Sequence, residues 1–362
     1  MKLGFGLMRL PKKGIITDIK QTSKMVDMFL EAGGTYFDTA YVYPGSEDAT
    51  RKALVERYPR EKYTLATKLN ASVAITEKMA KSQLDTSLKR TGAGYFDYYL
   101  LHALMEKNYG KYDKFNLWNF AKEQKEKGII RNYGFSFHGG PELLDKLLTE
   151  HSDVDFVQLQ INYCDWESPK VKSRENYEVA RKHNKQIVIM EPVKGGRLAD
   201  PPERVREVFD EANKNASYAS WAIKFAASLD GILSVLSGMS NIEQMQDNLS
   251  YMKDFEKLSD VEREIIREAQ KAFNDVKSIP CTGCGYCLEG CPQQIKIPEI
   301  FSARNEQVEY GRIEEGNKKY ADIIKENAKA SECIGCGQCE SSCPQHIEII
   351  EELKKCSEVF DR

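Results

Sequence analysis

Eight short apolar runs, each followed by a stretch of helical period, follow one another through roughly the first 250 residues of the chain. The runs are Leu3 to Leu7, Thr35 to Phe37, Tyr63 to Lys68, Phe96 to Leu101, Ile129 to Phe137, Val154 to Ile161, Gln186 to Met190 and Ile232 to Leu236. Most lack a polar alternation, as strands of a parallel sheet do when helices cover both faces. The helical stretches start near Asp18 and then run Glu47 to Arg57, Thr76 to Arg90 and Asn116 to Lys127. They continue from Pro141, and then over Lys170 to His183, Asn215 to Leu229 and Ile242 to Met252. Eight strand-then-helix units close naturally into an α/β architecture of the (β/α)8 TIM barrel type. A doubly wound open sheet is the alternative, weakened because no Gly-x-Gly-x-x-Gly follows the first strand.

In such a barrel the chemistry sits where strands end. The second strand ends on Asp38, with Tyr43 just beyond it before the Pro44-Gly45-Ser46 turn; the third ends on Lys68 and the fourth on His102. Singly these read as a turn cap, a surface lysine and a histidine closing an apolar strand. Together on three consecutive strand ends they make a proton-transfer set. Met25, Met28 and Phe29 make the apolar face of the first helix, and Met79, Leu84 and Leu88 are expected to face the core from the third.

These residues stand in longer motifs. Phe37-Asp38-Thr39-Ala40-x-x-Tyr43, Ala66-Thr67-Lys68 and Asp97-Tyr98-Tyr99-Leu100-Leu101-His102 are followed by Gly134-Phe135-Ser136 and Val157-Gln158-Leu159-Gln160. The last is Gly238-Met239-Ser240-Asn241-x-x-Gln244-x-x-Asp247-Asn248. In that order, over residues 3 to 252, the chain resembles the aldo-keto reductase family. The resemblance implies a catalytic tetrad of Asp38, Tyr43, Lys68 and His102. A carbonyl would be reduced, or an alcohol oxidised, by hydride transfer from or to NADP or NAD. Tyr43 would be the acid, its phenol made more acidic by Lys68; Asp38 would hold Lys68, and His102 would orient the carbonyl. Ser136 and Gln160 would hold the carboxamide, with Met190 and Pro192 beside the ring, and Gly238, Ser240, Gln244, Asp247 and Asn248 the adenosine end.

The chain also departs from the family. It starts directly at the first strand, so the hairpin that closes the bottom of many such barrels is expected to be missing. Met190-Glu191-Pro192-Val193-Lys194-Gly195-Gly196 stands where relatives carry an aromatic residue. No Lys or Arg lies between Gly238 and Asn248 to grip a 2′-phosphate, leaving Lys194 or Arg197 to reach it. His138, in place of a common Asn, is either a substrate contact or a loop-packing residue.

Of ten cysteines, nine lie beyond residue 280. Cys281-x2-Cys284-x2-Cys287-x3-Cys291-Pro292 returns 52 residues later as Cys333-x2-Cys336-x2-Cys339-x3-Cys343-Pro344. This is the bacterial spacing for two 4Fe-4S clusters, in which the fourth cysteine of each run serves the other cluster. It assigns Cys281, Cys284, Cys287 and Cys343 to one and Cys333, Cys336, Cys339 and Cys291 to the other. A pair of zinc sites is the rival and does not call for the triple-plus-proline spacing; a disulfide scaffold belongs to secreted chains. The helical insert over 298 to 329 makes the segment resemble helical ferredoxin modules of multi-subunit reductases. Cys164 and Cys356 are left as structural thiols, and His346 as a surface residue. The expected division is a barrel over 1–255, a linker helix over 256–280 and a small ferredoxin-like domain over 281–362. The linker helix is capped by Ser259 and Glu262 and carries a stripe of Val261, Ile265, Ala269, Phe273 and Val276.

Charge is nearly balanced, with 52 basic and 55 acidic residues, which argues against a nucleic-acid or membrane surface. With no apolar h-region at the N-terminus and no apolar run of membrane length, a cytoplasmic protein is expected. Two readings follow. One is a nicotinamide-linked carbonyl reductase exchanging electrons through its clusters with a redox partner; the other is an electron-carrier or assembly subunit whose barrel binds nucleotide without turnover. Hydride moves electrons in pairs and clusters move them singly, yet no flavin site is recognisable. The tail from residue 281 carries ten basic and fifteen acidic residues, a balance suited to a basic partner.

Overall fold

In the computed structural model, which describes residues 1–361, the eight runs form one closed barrel in which every neighbouring pair is parallel. Its strands are β1 (Leu3–Gly6), β2 (Tyr36–Asp38), β3 (Thr64–Leu69), β4 (Phe96–Leu104), β5 (Ile130–Phe137), β6 (Phe156–Gln160), β7 (Gln186–Met190) and β8 (Ile232–Ser237). A two-stranded hairpin, Lys12–Lys13 with Ile16–Thr17, follows β1. Side chains alternate in and out along each strand. The plug at mid-barrel is Tyr36, Ala66, Leu100, Phe156, Val188 and Leu236, with Tyr98 and Leu233 packed against it. Phe156 has room because Gly134, its register partner on β5, lacks a side chain: a Cβ there would lie 2.1 Å from the Phe156 carbonyl oxygen. Two residues further along each strand, the same face carries Asp38, Lys68, His102, Ser136, Gln158 and Met190.

The helices differ from expectation in particular ways. Met79 is 46 % exposed, and Ala80, Gln83, Leu84 and Ser87 fill the buried face of Glu77–Thr91. Val261 is also exposed; the buried stripe of Asp260–Asn274 is Ile266, Ala269 and Phe273. The expected stripe from Val261, drawn in steps of four, overruns the 3.6-residue turn by about 40° each time, so that end rotates into solvent. The expected helix over 47–57 is a short α-turn, Ser46–Thr50, running into a π-helical turn, Arg51–Val55. Helices Tyr109–Lys114 and Glu203–Asn213 lie where none was expected.

The chain forms two compact units. One comprises Met1–Glu167, Lys172–Pro192 and Ser220–Leu258 and contains all eight strands; the other takes Ser168–Val171, Val193–Ala219 and the chain from Ser259 on. The second unit thus includes part of the β7–β8 connection, and Asp260–Asn274 packs with Glu203–Asn213 inside it. Its core combines Ile279, Ile295, Ile297, Ile300, Phe301, Tyr320, Ile347, Ile349 and Leu353 with Cys287, Cys339 and Cys343. The 52-residue repeat is a repeat of backbone. Gly283 and Gly335 (φ 65° and 67°), Gly285 and Gly337 (81° and 76°), and Gln294 and His346 (54° and 51°) adopt the left-handed region in matching pairs. Each cysteine run then feeds a helix, Ile297–Tyr310 and Ile349–Phe360. No helix among the described residues is long and apolar enough to cross a membrane.

Overpacking a filled core costs about 1–3 kcal/mol. Gly134→Ala should therefore lower the urea midpoint of the barrel with an unchanged slope, read by circular dichroism; an unchanged midpoint would show that Phe156 can yield.

Candidate active site and thiolate cages

Lys68 is wholly buried, and its Nζ lies 2.5 Å from Asp38 Oδ1 and donates to the Thr39 carbonyl at 2.7 Å. Burial pushes the Asp38 carboxyl up and the Lys68 ammonium down, and each charge opposes the shift of the other. A second carboxylate adds to the cationic side of this balance. Glu47, at the start of the helix expected over 47–57, is buried; it accepts from Thr67 Oγ1 at 2.8 Å and pairs with Arg90 at 3.2 Å. Lys68 Nζ stands 4.8 Å from the centroid of the Tyr43 ring, whose centroid is 5.7 Å from that of His102 in an edge-on arrangement. All four residues of the set therefore meet at one end of the barrel.

His102 is neutral near pH 7, because burial, then the Lys68 charge and then His138 hold its imidazole well below the usual range. Its strand does not stop there. β4 continues to Leu104 through Ala103, whose φ of 58° is unusual for a residue with a side chain. Ser136 Oγ accepts the Ala103 N–H at 2.7 Å, and Asn108 Nδ2 donates to the Ala103 carbonyl at 2.8 Å. These bonds stabilise a kink that re-aims the chain beside the imidazole. Tyr112 OH donates to the His102 carbonyl.

The residues expected around a nucleotide are placed unequally. Gln160 gives an amide N–H to Asp165 Oδ2 at 3.0 Å, so that end is committed to the loop beyond β6. Gln158, one step deeper on the same face, has Nε2 against the Met190 sulfur at 3.4 Å and a buried Oε1 with no hydrogen-bond partner. Two glutamines in alternation were readable in the sequence; which of them has the available oxygen was not. At the end of β8, Ser240 N donates to Gln244 Oε1 and Ser240 Oγ to the Arg9 carbonyl, both at 2.7 Å. Asn241 caps the helix Ile242–Met252, and Asn248 Oδ1 accepts from Ser237 at 2.6 Å. Arg9 is thereby a basic residue beside the Gly238–Ser240 turn, unanticipated because it comes from the other end of the sequence. Arg197 instead forks to Ser278 Oγ at 2.5 Å and to Glu309 within the second unit. Lys194 is buried there, and a Cβ on Gly195 would lie 2.4 Å from the Thr282 carbonyl.

Two groups of thiols can be distinguished, one around Cys287 and one around Cys339. Burial raises the Cys287 thiol well above its ordinary range, and Cys284, Cys281 and Cys343 raise it further. Burial likewise pushes Cys339 up to about 11, with Cys333 and Cys291 adding to the rise; Cys336 lines one cleft with these three. Among the described residues no three His, Cys, Asp or Glu stand at single-ion spacing. The sets are defined by which thiols face one another. Thiolates gathered this closely would repel one another, and a multivalent iron-sulfur centre would offset that repulsion and favour their ionised forms. Cys356 is fully buried and belongs to neither set.

Residues 2–271 match the model of the aldo/keto reductase family, and residues 280–348 match that of the 4Fe-4S dicluster domain. An aldo-keto reductase of Mycolicibacterium smegmatis is 30 % identical over 188 residues, covering 51 % of this chain and 64 % of that protein. Subunit alpha 1 of the acetyl-CoA decarbonylase/synthase complex of Methanosarcina barkeri is 32 % identical over 78 residues, 22 % of this chain and 8 % of the subunit. The chain thus spans less than two thirds of either. An aldo-keto reductase from Bacillus halodurans shares the fold with a TM-score of 0.62 at 24 % identity, over 75 % of this chain and 92 % of that one. A Klebsiella pneumoniae aldo-keto reductase in complex with NADPH superposes with a TM-score of 0.60 at 17 % identity, over 75 % and 90 %.

Cys343→Ser should reduce bound iron and sulfide by about half, since it removes a ligand from only one of two cages; loss of all iron would show that the cages assemble together. Because the folded state keeps His102 neutral, the unfolded chain binds more protons below its ordinary pKa of about 6.5. Barrel stability should therefore fall as pH drops through that value. His102→Gln should flatten this part of the urea midpoint's pH profile; an unchanged slope would place the effect elsewhere.

Proposed function

Because the chain belongs to the aldo/keto reductase family, we propose that this oxidoreductase interconverts a small carbonyl compound and its alcohol with NADPH, Tyr43 serving as the proton donor. The observation that carries this reading is the buried Lys68 cation, 2.5 Å from Asp38 and 4.8 Å from the Tyr43 ring. A bound nicotinamide supplies the hydride. As negative charge grows on the substrate oxygen, Tyr43 delivers its hydroxyl proton, and Lys68 stabilises the phenolate left behind. Asp38 and the Thr39 carbonyl hold Lys68 in position. Neutral His102 donates an N–H to the same substrate oxygen and orients it.

Ser136 and Gln158 offer a hydroxyl and an amide oxygen to the carboxamide, Gln158 in place of the Gln160 amide that Asp165 occupies. Met190 supplies the apolar wall that an aromatic ring would otherwise provide. The Ser240 turn and the capped start of Ile242–Met252 receive the adenosine end, with Arg9 at hand for a 2′-phosphate. The Klebsiella protein solved with NADPH has the same fold, which supports the choice of nucleotide.

The thiolate sets would hold two 4Fe-4S clusters, which store electrons one at a time. A redox protein is the proposed exchange partner for them, in keeping with the short stretch shared with a subunit of a larger complex.

Tyr43→Phe should lower carbonyl-dependent NADPH oxidation at least about 100-fold while NADPH affinity, read by fluorescence titration, stays within about threefold. Turnover close to that of the parent would remove Tyr43 from the acid role. Anaerobic NADPH added without carbonyl should bleach the cluster absorbance if the two redox chemistries are coupled, and leave it unchanged if they run separately.

A further inference from the structure

A cleft of about 380 Å³ opens in the second unit among the strap 277–280, the helix Ile297–Tyr310 and the first turns of Ile349–Phe360. That is within the usual range for small-molecule pockets. Its inner wall is aliphatic, made by Ile279, Val308 and Ile347. Its rim is basic: Lys170, Lys277 and Arg304 line it without a carboxylate partner among the described residues, Arg304 giving one N–H to Gln307 at 2.8 Å. Lys355 is matched by Glu352 at 2.7 Å, and Glu348 is the one remaining carboxylate of the lining. Three cations around one concavity favour an anion, and Lys and Arg together suit phosphoryl oxygens.

The backbone behind the cleft is tied by buried hydrogen bonds. Buried Asn305 binds both polar groups of Ile279, accepting its N–H at 2.8 Å and donating to its carbonyl at 2.7 Å. The same Ile279 carbonyl also accepts the Cys281 N–H at 2.8 Å. Ile347, on the facing side, lies four residues beyond Cys343. Both walls are thus continuous with chain that carries ligands of the first thiolate set.

We propose that this cleft binds an organic phosphate. The phosphoryl group is held by Lys170, Lys277 and Arg304, and a flat apolar body lies against Ile279, Val308 and Ile347, next to the cage of Cys281, Cys284, Cys287 and Cys343. The site is independent of the barrel's carbonyl chemistry. A flavin mononucleotide and an adenine nucleotide share the required chemistry, and the experiment separates them.

Cluster-loaded protein is titrated with flavin mononucleotide, followed by its fluorescence, and with ADP and inorganic phosphate by calorimetry. The parent is compared with a Lys277→Glu/Arg304→Glu double variant whose iron content is measured in parallel. Saturable flavin or ADP binding that weakens at least tenfold in the double variant, and also alters the electron paramagnetic resonance of the reduced clusters, supports the site. The tighter of the two ligands identifies the class. No binding, binding of inorganic phosphate alone, or binding indifferent to the charge reversals overturns it. Should the double variant lose iron, Lys170→Glu on the exposed rim provides the same comparison.

Discussion

The barrel end depends on one buried ion pair. Lys68 and Asp38 sit where neither charge meets solvent, and desolvating two ions costs several kcal/mol each unless geometry and further hydrogen bonds return it. Here the return comes from a 2.5 Å contact, the Thr39 carbonyl on a second ammonium hydrogen, and the nearby Glu47 carboxylate. A pair retained at such cost is poor evidence of stability and better evidence of a need for positive charge beside Tyr43. The arrangement is available because a parallel barrel stacks its inward residues in layers. An apolar plug from Tyr36 to Leu236 seals the middle, and the next layer is free to be polar.

The second unit rests on a different constraint. Its core holds Cys287, Cys339 and Cys343 among isoleucines, and burial together with neighbouring thiols disfavours the ionised forms of Cys287 and Cys339. Metal binding that draws protons off these thiols therefore contributes to folding as well as to redox chemistry. The matching left-handed residues of the two runs follow from the same demand, since each turn has to wrap closely around its centre.

Much of this was legible beforehand, for identifiable reasons. Strand ends placed Asp38, Lys68 and His102 at one end of the barrel, and the repeated spacing of eight cysteines pointed to the 4Fe-4S segment. What was missed depends on tertiary partners. Glu47 looks like any acid on a charged helix until Thr67 and Arg90 arrive from residues 20 and 43 further along the chain. Gln158 and Gln160 are equivalent in a strand pattern, and only Asp165, folded back over the β6 end, distinguishes them. Arg9 reaches the Ser240 turn because barrel closure sets β1 beside β8. Val261 was misplaced by a stripe drawn in steps of four where the helix turns every 3.6 residues.

The connection after β7 joins the two chemistries through the chain itself. Met190 closes β7 in the polar layer, and from Val193 onward the same connection is part of the second unit. There Arg197 is tied to Ser278 and Glu309, and Gly195, at a φ of 69°, lies against the Thr282 carbonyl between the first two cysteines. A side chain at Gly195 would be strained by that φ and would collide with backbone that has little freedom to move. The stretch from Met190 to Gly196, which carries no aromatic residue, thus places glycine where the space beside Thr282 requires it.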